Sequence, residues 1–453
     1  MKKLRLYMLA VLTALAASSC SMMIPGSSSS TGSDSGSTST STGGSTSNGS
    51  TSTSTGGSTS SGSSITSTTI STSDGVIENK GKYTVLIYMC GSDLESQNYL
   101  ASANIEELVS SNISDELNVV IETGGAKKWA SDYGISSTKN SRYIVRGNKL
   151  VLLETKAKSN MGSYSTLQSF VEYGIKNFSA EKMALIFWNH GGAMQGVCFD
   201  ENSNDSLTNS EVKKALTNAF SKTNRTEKFE WVGYDACLMA VADVASFNSQ
   251  FFNYMVSSQE SEPGEGWDYD GWVKYLLNNI NVNTTDLLKK ICDTYYDKVA
   301  AAYNSYGVEY RGYNDTTLSV LDLSKAATFD SEFENIAASL KSKITSSFKL
   351  SSLLSSAQQF GYDDQYGYTF DVYDADDVFS AINTTYSINI SALTTALNNY
   401  VIYNKVGKDS SGACGLCLFS AQSGYASKTT EYNSSNTNYT NWLSINSSYG
   451  SLY

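Results

Sequence analysis

MALIFWNHGG (residues 183–192) and EWVGYDACLMA (residues 230–240) each read as a short buried strand that ends on a reactive side chain. Met183–Trp188 is an uninterrupted apolar run with polar flanks, the length of a fully buried strand. Trp231–Tyr234 is a second such run. The first delivers His190, the only histidine in 453 residues, and the second delivers Cys237. In an open parallel sheet, ligands bind just beyond the carboxyl ends of strands, so groups at two such ends can meet in space. A thiol with an ordinary pKa near 8.5 is mostly protonated at neutral pH, and an adjacent imidazole can take its proton or stabilise the thiolate. The glycine pair after His190 lets backbone pass close to a substrate. The amides of Gly191 and Cys237 are the expected donors to a developing oxyanion. A single histidine is more often structural, and a cysteine after an apolar run is more often inert core. It is the joint arrangement that points to Cys/His chemistry.

The flanking chain predicts the scaffold. Tyr83–Met89, Leu117–Ile121 and Phe252–Ser257 read as further strands. Gly147-Asn148 marks a hairpin between 142–145 and 149–153. Helices are expected after a turn at 90–95 through Val109, over 165–177, from Thr208 to about Ser221, over 238–247 and over 285–303, with Thr208-Asn209-Ser210-Glu211 as a capping box. A helix starting at Leu238 would present its positive end to the Cys237 sulfur. The alternation of strands and helices predicts an α/β fold with a mainly parallel central sheet covered on both faces. Residues 413–419 are expected to form a late strand of that sheet, and surface loops are expected past Ser420.

Composition narrows the partners. Net charge is −12, with 32 Lys and Arg, and no basic run lies outside the first residues, which argues against nucleic acid. Seven cysteines at scattered spacings do not make a disulfide framework. With one histidine and one CxxC (Cys414, Cys417), no zinc site is expected. Residues 1–20 read as an export signal: Lys2, Lys3 and Arg5, then the apolar segment 6–17. Ala17-Ser18-Ser19-Cys20 resembles a bacterial lipobox, with Ala17 where Leu is usual, so Cys20 is the expected lipid-bearing residue and the membrane its attachment. Residues 21–81 are read as a disordered Ser/Thr/Gly linker. Some 50 such residues reach roughly 40 Å. Residues 82–453 then form the folded part, with a core of about 82–325 and a C-terminal part of 326–453.

The order of the motifs separates families. Papain-like enzymes place Cys first, whereas here His precedes Cys by 47 positions. NHGG, then GYDACLM, then SSQESEPGEGWDYDGW (257–272) resembles the clostripain family of cysteine peptidases, related in fold to caspases, gingipains and legumains. The likeness runs more weakly from YTVLIYMCGSDLES at 83 to CGLCLFSAQSGY at 414. The resemblance implies a caspase-like α/β/α sandwich with a C-terminal extension or small subdomain. It also implies a cysteine endopeptidase using His190 and Cys237 on protein or peptide substrates, which the export signal places outside the cytoplasm. Family members commonly cut after Arg or Lys. Asp235 matches a position linked to the basic residue, and Glu265 or Asp268 is the expected second acid. No cofactor is required, although several family members depend on calcium, and the acidic stretches 200–205 and 362–377 offer oxygen ligands. No third residue orienting His190 is apparent. Lys222, Arg225 and Lys228 are candidate self-cleavage positions, since relatives are often cut between His and Cys. Two rivals remain: an idle binding module of the same fold, and a transpeptidase or acyltransferase using the same thioester.

Overall fold

The computed structural model describes residues 69–73, 75–306, 311–361, 369–421 and 438–449. The expected export signal, Cys20 and most of the linker lie outside them. Nine strands form the central sheet: β1 (Tyr83–Cys90), β2 (Leu117–Gly124), β3 (Lys139–Arg146), β4 (Lys149–Ala157), β5 (Lys182–Trp188), β6 (Phe229–Asp235), β7 (Phe252–Ser257), β8 (Thr317–Asp322) and β9 (Val401–Val406). Their order is β9-β8-β7-β6-β5-β1-β2-β3-β4. The five central strands, β7 through β2, are mutually parallel, and an antiparallel pair extends each side.

Strand alternation divides the core into two layers. In β1, Leu86, Tyr88 and Cys90 enter one apolar cluster, and Val85, Ile87 and Met89 enter the other. In β5, Met183, Leu185 and Phe187 face the first side, and Ala184, Ile186 and Trp188 face the second. Central strands covered on both faces are apolar at most positions, which is why they read as near-continuous runs; the buried Asn118 and Glu122 of β2 are hydrogen-bonded, Glu122 by Arg142. Helices Tyr164–Asn177, Asn209–Thr223, Ala242–Asn248 and Ala326–Lys343 cover the first face. Leu100–Ser110, Tyr269–Asn278 and Thr284–Tyr306 cover the second. Thr208 closes the expected capping box with Glu211.

Several expectations are corrected. The linker does not run unstructured to 81: Thr69–Thr72 and Gly75–Glu78 pair as an antiparallel hairpin, and Ile70 and Ile77 rest on the core. The first helix is two, Ser92–Asn98 and Leu100–Ser110, broken at Tyr99 with φ 58°. Cys417–Phe419 joins Gln359–Phe360 and Val372–Asp374 in a separate three-stranded sheet; β9 takes the place expected for it. The end of the chain is not all loop, because Thr440–Tyr449 is a helix that buries Trp442 and Ile445. Of the two forms expected for the C-terminal part, it is an extension of the same body: β9 pairs with β8, and Phe329, Phe333 and Trp442 share one apolar cluster with Cys237 and Leu238.

Candidate active site

Three neighbouring parallel strands, β1, β5 and β6, build the site at their carboxyl ends. Trp188 pairs with Met89 on one side and Asp235 on the other. His190 and Cys237 therefore each stand two residues past a paired position, on strands about 4.8 Å apart. The loops stay together beyond the sheet, where the Asn189 amide donates to the Asp235 carbonyl at 3.3 Å. A Cβ on Gly191 would fall 2.1 Å from the Cys237 carbonyl oxygen. The glycine is thus required by close approach of the two loops. Gly191→Ala must push them apart and is expected to cost about 1–3 kcal/mol, as overpacking does. Thermal unfolding measures it, and an unchanged melting temperature would mean that the loops separate freely.

His190 is held from both directions. The buried Asn189 side chain donates to the Cys90 carbonyl at 2.7 Å and accepts from the Phe199 amide at 2.7 Å. These bonds tie the end of β5 to β1 and to the hairpin Val197–Asp200/Asp205–Leu207. The His190 Nε2 lies 2.8 Å from Asp93 Oδ1, and its side chain is 13% exposed. Burial works against the charged ring. The hydrogen bond and charge of Asp93, and then the charge of Cys237, outweigh it and raise the His190 pKa above its usual value. Burial likewise opposes the Asp93 carboxylate, but the bond and charge of His190 hold it below the usual range. Sequence reasoning passed over Asp93, reading 90–95 as a turn into a helix. The available signal was an acid just past the end of an apolar strand.

Cys237 is only 6% exposed. Leu238 follows with φ 64°, a left-handed conformation costly for a non-glycine residue. The Glu262 amide donates to Sγ at 3.2 Å, and Sγ reaches the Glu262 carbonyl at 3.8 Å. The helix expected to start at Leu238 starts at Ala242 instead. The partner of the sulfur is therefore a backbone amide of segment 258–268, not a helix terminus. No disulfide joins the described cysteines.

The acids sort themselves by burial. Asp235 is buried; Tyr269 O–H donates to Oδ2 at 2.9 Å and the Trp267 amide to Oδ1 at 3.3 Å. Burial pushes its carboxyl up to about 6, against the Tyr269 bond and the Lys298 charge. Glu262 is the acid beside it. Burial and then the charges of Asp235 and Cys237 push it well up, and Trp267 Nε1 donates to it at 3.2 Å. Two buried acids in contact are most stable sharing one proton. Of the acids in this segment, Glu262 is thus the one that adjoins Asp235. Asp268 caps helix Tyr269–Asn278 by accepting from the Gly271 amide at 3.1 Å. Glu265 is half-buried and contributes its carbonyl, which accepts from Lys298 Nζ at 3.0 Å. Lys298 also bonds the Trp267 carbonyl at 3.0 Å and Glu107 at 2.7 Å, fixing the segment against the helix layer.

In the described residues of the acidic stretches, carboxylates serve as local caps. Asp200 spends its oxygens on the amides of Met161 (2.8 Å), Asn202 (2.8 Å) and Ser203 (3.2 Å). Asp374 caps helix Ala375–Tyr386. Residues 362–368 lie outside the described residues. Among the described residues, no three His, Cys, Asp or Glu side chains converge as metal ligands. The connection 222–228 is short and pinned: Lys222 pairs with Glu172 at 3.4 Å, Arg225 covers the Phe229 ring at 4.8 Å, and Lys228 bonds the Ser249 carbonyl at 2.6 Å.

Comparisons with known proteins agree with this architecture. A sequence model described as the clostripain family matches residues 87–450. Clostripain from Hathewaya histolytica is 25% identical over 308 residues, which cover 59% of this chain and 58% of that protein. The chain therefore spans less than two thirds of that relative. A secreted C11 cysteine protease from Bacteroides thetaiotaomicron, solved with an irreversible peptide inhibitor, superimposes with a TM-score of 0.60 at 16% identity, over 80% of this chain and 99% of that one. An inactive zymogen C11 protease from Parabacteroides distasonis does so with a TM-score of 0.57 at 17% identity, over 80% and 98%. At these identities the likeness to the solved structures is one of fold.

Proposed function

Because the chain belongs to the clostripain family, we propose that it is a cysteine endopeptidase that cuts after Arg or Lys with Cys237 as nucleophile and His190 as acid–base. The carrying observation is the equal register of the two residues past paired positions of neighbouring parallel strands, with Gly191 against the Cys237 carbonyl. The Cys237 thiolate attacks the scissile carbonyl carbon. The oxyanion is received by the Gly191 and Cys237 amides. The His190 imidazolium gives its proton to the leaving amine, the C–N bond breaks, and a thioester remains. His190 then takes a proton from water as the water oxygen attacks the thioester. The C–S bond breaks, releasing the acid and restoring the thiol–imidazole pair. The steps use protein groups and water.

Asp235 is the acceptor for the basic side chain. It carries the charge of its pair with Glu262, and Glu262 lies against the nucleophile, its amide bonded to the Cys237 sulfur. The head acts outside the cytoplasm. This rests on the signal-like residues 1–20, the lipobox-like Cys20 and the Ser/Thr/Gly tether, and the Bacteroides relative is described as secreted. Among the described residues, no helix is long and apolar enough to cross a membrane.

An acyloxymethyl ketone carrying Lys or Arg is expected to label Cys237 and none of the other cysteines, as read by peptide mass spectrometry. Absence of selective labelling would favour an idle binding module. Added amine nucleophiles that outcompete water in the products would favour a transpeptidase.

A further inference from the structure

We propose that Asp93 is a positioning residue for His190, completing a relay of three groups at the ends of β1, β5 and β6. This rests on the peptidase reading above and deepens it. Asp93 lies three residues past the end of β1, in the first turn of helix Ser92–Asn98. Its Oδ1 is 2.8 Å from His190 Nε2 and also accepts from Ser92 Oγ at 3.1 Å. Ser92 has φ 50°, so the turn that presents the carboxylate is itself held in the left-handed region.

The contact decides which ring nitrogen works. A carboxylate on Nε2 fixes the proton there in the neutral ring, leaving Nδ1 to exchange a proton with the thiol. Asp93 also stabilises the imidazolium that forms when the thiol ionises, without taking the proton itself. The titratable groups acting on the ring are Asp93 and Cys237. Cys90, in the same turn behind Asp93, is buried with its thiol pushed well up, so it stays neutral and adds no charge. Asp200 and Glu201 act on Cys90 from the opposing hairpin. The Asp200 carboxylate is turned toward its own amide donors. The Glu201 carboxylate pairs with Lys127 at 3.2 Å and accepts the Lys127 amide at 3.0 Å.

The test uses Asp93→Ala and Asp93→Asn in the full chain, with hydrolysis of a peptide substrate followed across pH. Asp93→Ala should lower kcat about 10- to 100-fold, part of the usual worth of general acid–base catalysis, with KM within about twofold. Asp93→Asn keeps an oxygen that can accept from Nε2–H but loses the charge. It should recover most of kcat while its pH profile moves to lower pH, because burial of the imidazolium is then no longer offset by the Asp93 charge. Since His190 is the only histidine, its ring NMR signals need no assignment, and its titration should move down in both variants. Wild-type kcat and an unmoved titration in Asp93→Ala would overturn the proposal. So would equal loss in both variants accompanied by a lowered melting temperature, which would mark a helix-start role. Wild-type turnover that survives in Cys237→Ala would instead refute the peptidase reading on which it rests.

Discussion

Cys237→Ala is expected to lower peptide hydrolysis by at least about 10⁴-fold, to the background left by binding and oxyanion donors alone. The loss should fall on kcat. The sulfur forms the bond that carries the acyl group, and no other described cysteine can stand in for it. Cys90, Cys292 and Cys417 are fully buried with thiols pushed well up. Cys198 is buried with its thiol raised as well. Cys414 is part-exposed but raised by burial and by Asp374. Stability should change little, since the substitution removes one sulfur whose bonds to the Glu262 backbone are long and weak. A folded alanine variant that still turns over a basic-P1 peptide would remove the mechanism altogether. One that binds peptide but does not cut it, beside an active wild type, is what covalent catalysis requires.

The strands of the sheet centre were legible because burial on both faces favours an apolar run, unbroken in Met183–Trp188. Local chemistry announced the capping box at Thr208 and the hairpin at Gly147 in the same way. What escaped depended on long-range packing. Strand β9 reads as VIYNKV, part-buried and polar at its end, and it belongs to the sheet only because β8 offers an open side. The helix after Cys237 begins late because 238–241 is spent on bonds to other segments, Leu238 to the Glu260 carbonyl and Ala240 to the Ser258 carbonyl. At the site, His190 and Cys237 stood out through residue type and position after a strand. Asp93 and Glu262 did not, since an acid in a polar turn is ordinary until its neighbour is known. Glu265 and Asp268 were nominated from the correct segment, but only folding shows which acid turns inward.

Asp235→Asn is expected to lower kcat/KM for Arg and Lys peptides by about 10²–10³-fold while neutral peptides lose much less. Truncating one partner of a buried charged bond costs about 2–5 kcal/mol. Asparagine still accepts from the Trp267 amide or Tyr269 hydroxyl, so segment 258–268 should hold its course. The neutral peptide reports any shift of that segment, which makes the ratio of basic to neutral substrate the informative quantity. The ratio also cancels the ionisation of Cys237 and His190, which both substrates share. In the wild type it should depend on pH by itself. Asp235 titrates near 6 while Glu262, raised much further, keeps its proton. Above pH 6 the pair carries one negative charge, and below it none. Preference for the basic side chain should therefore be full at neutral pH and fall as acid is added through 6. Glu262→Leu removes the proton donor that favours the Asp235 carboxylate, so the same decline should set in at higher pH. Glu262→Gln, whose amide can still donate, should leave the midpoint near the wild-type value. A ratio that stays flat from pH 8 to 5 in the wild type, or that survives in Asp235→Asn, would mean that another group receives the cation.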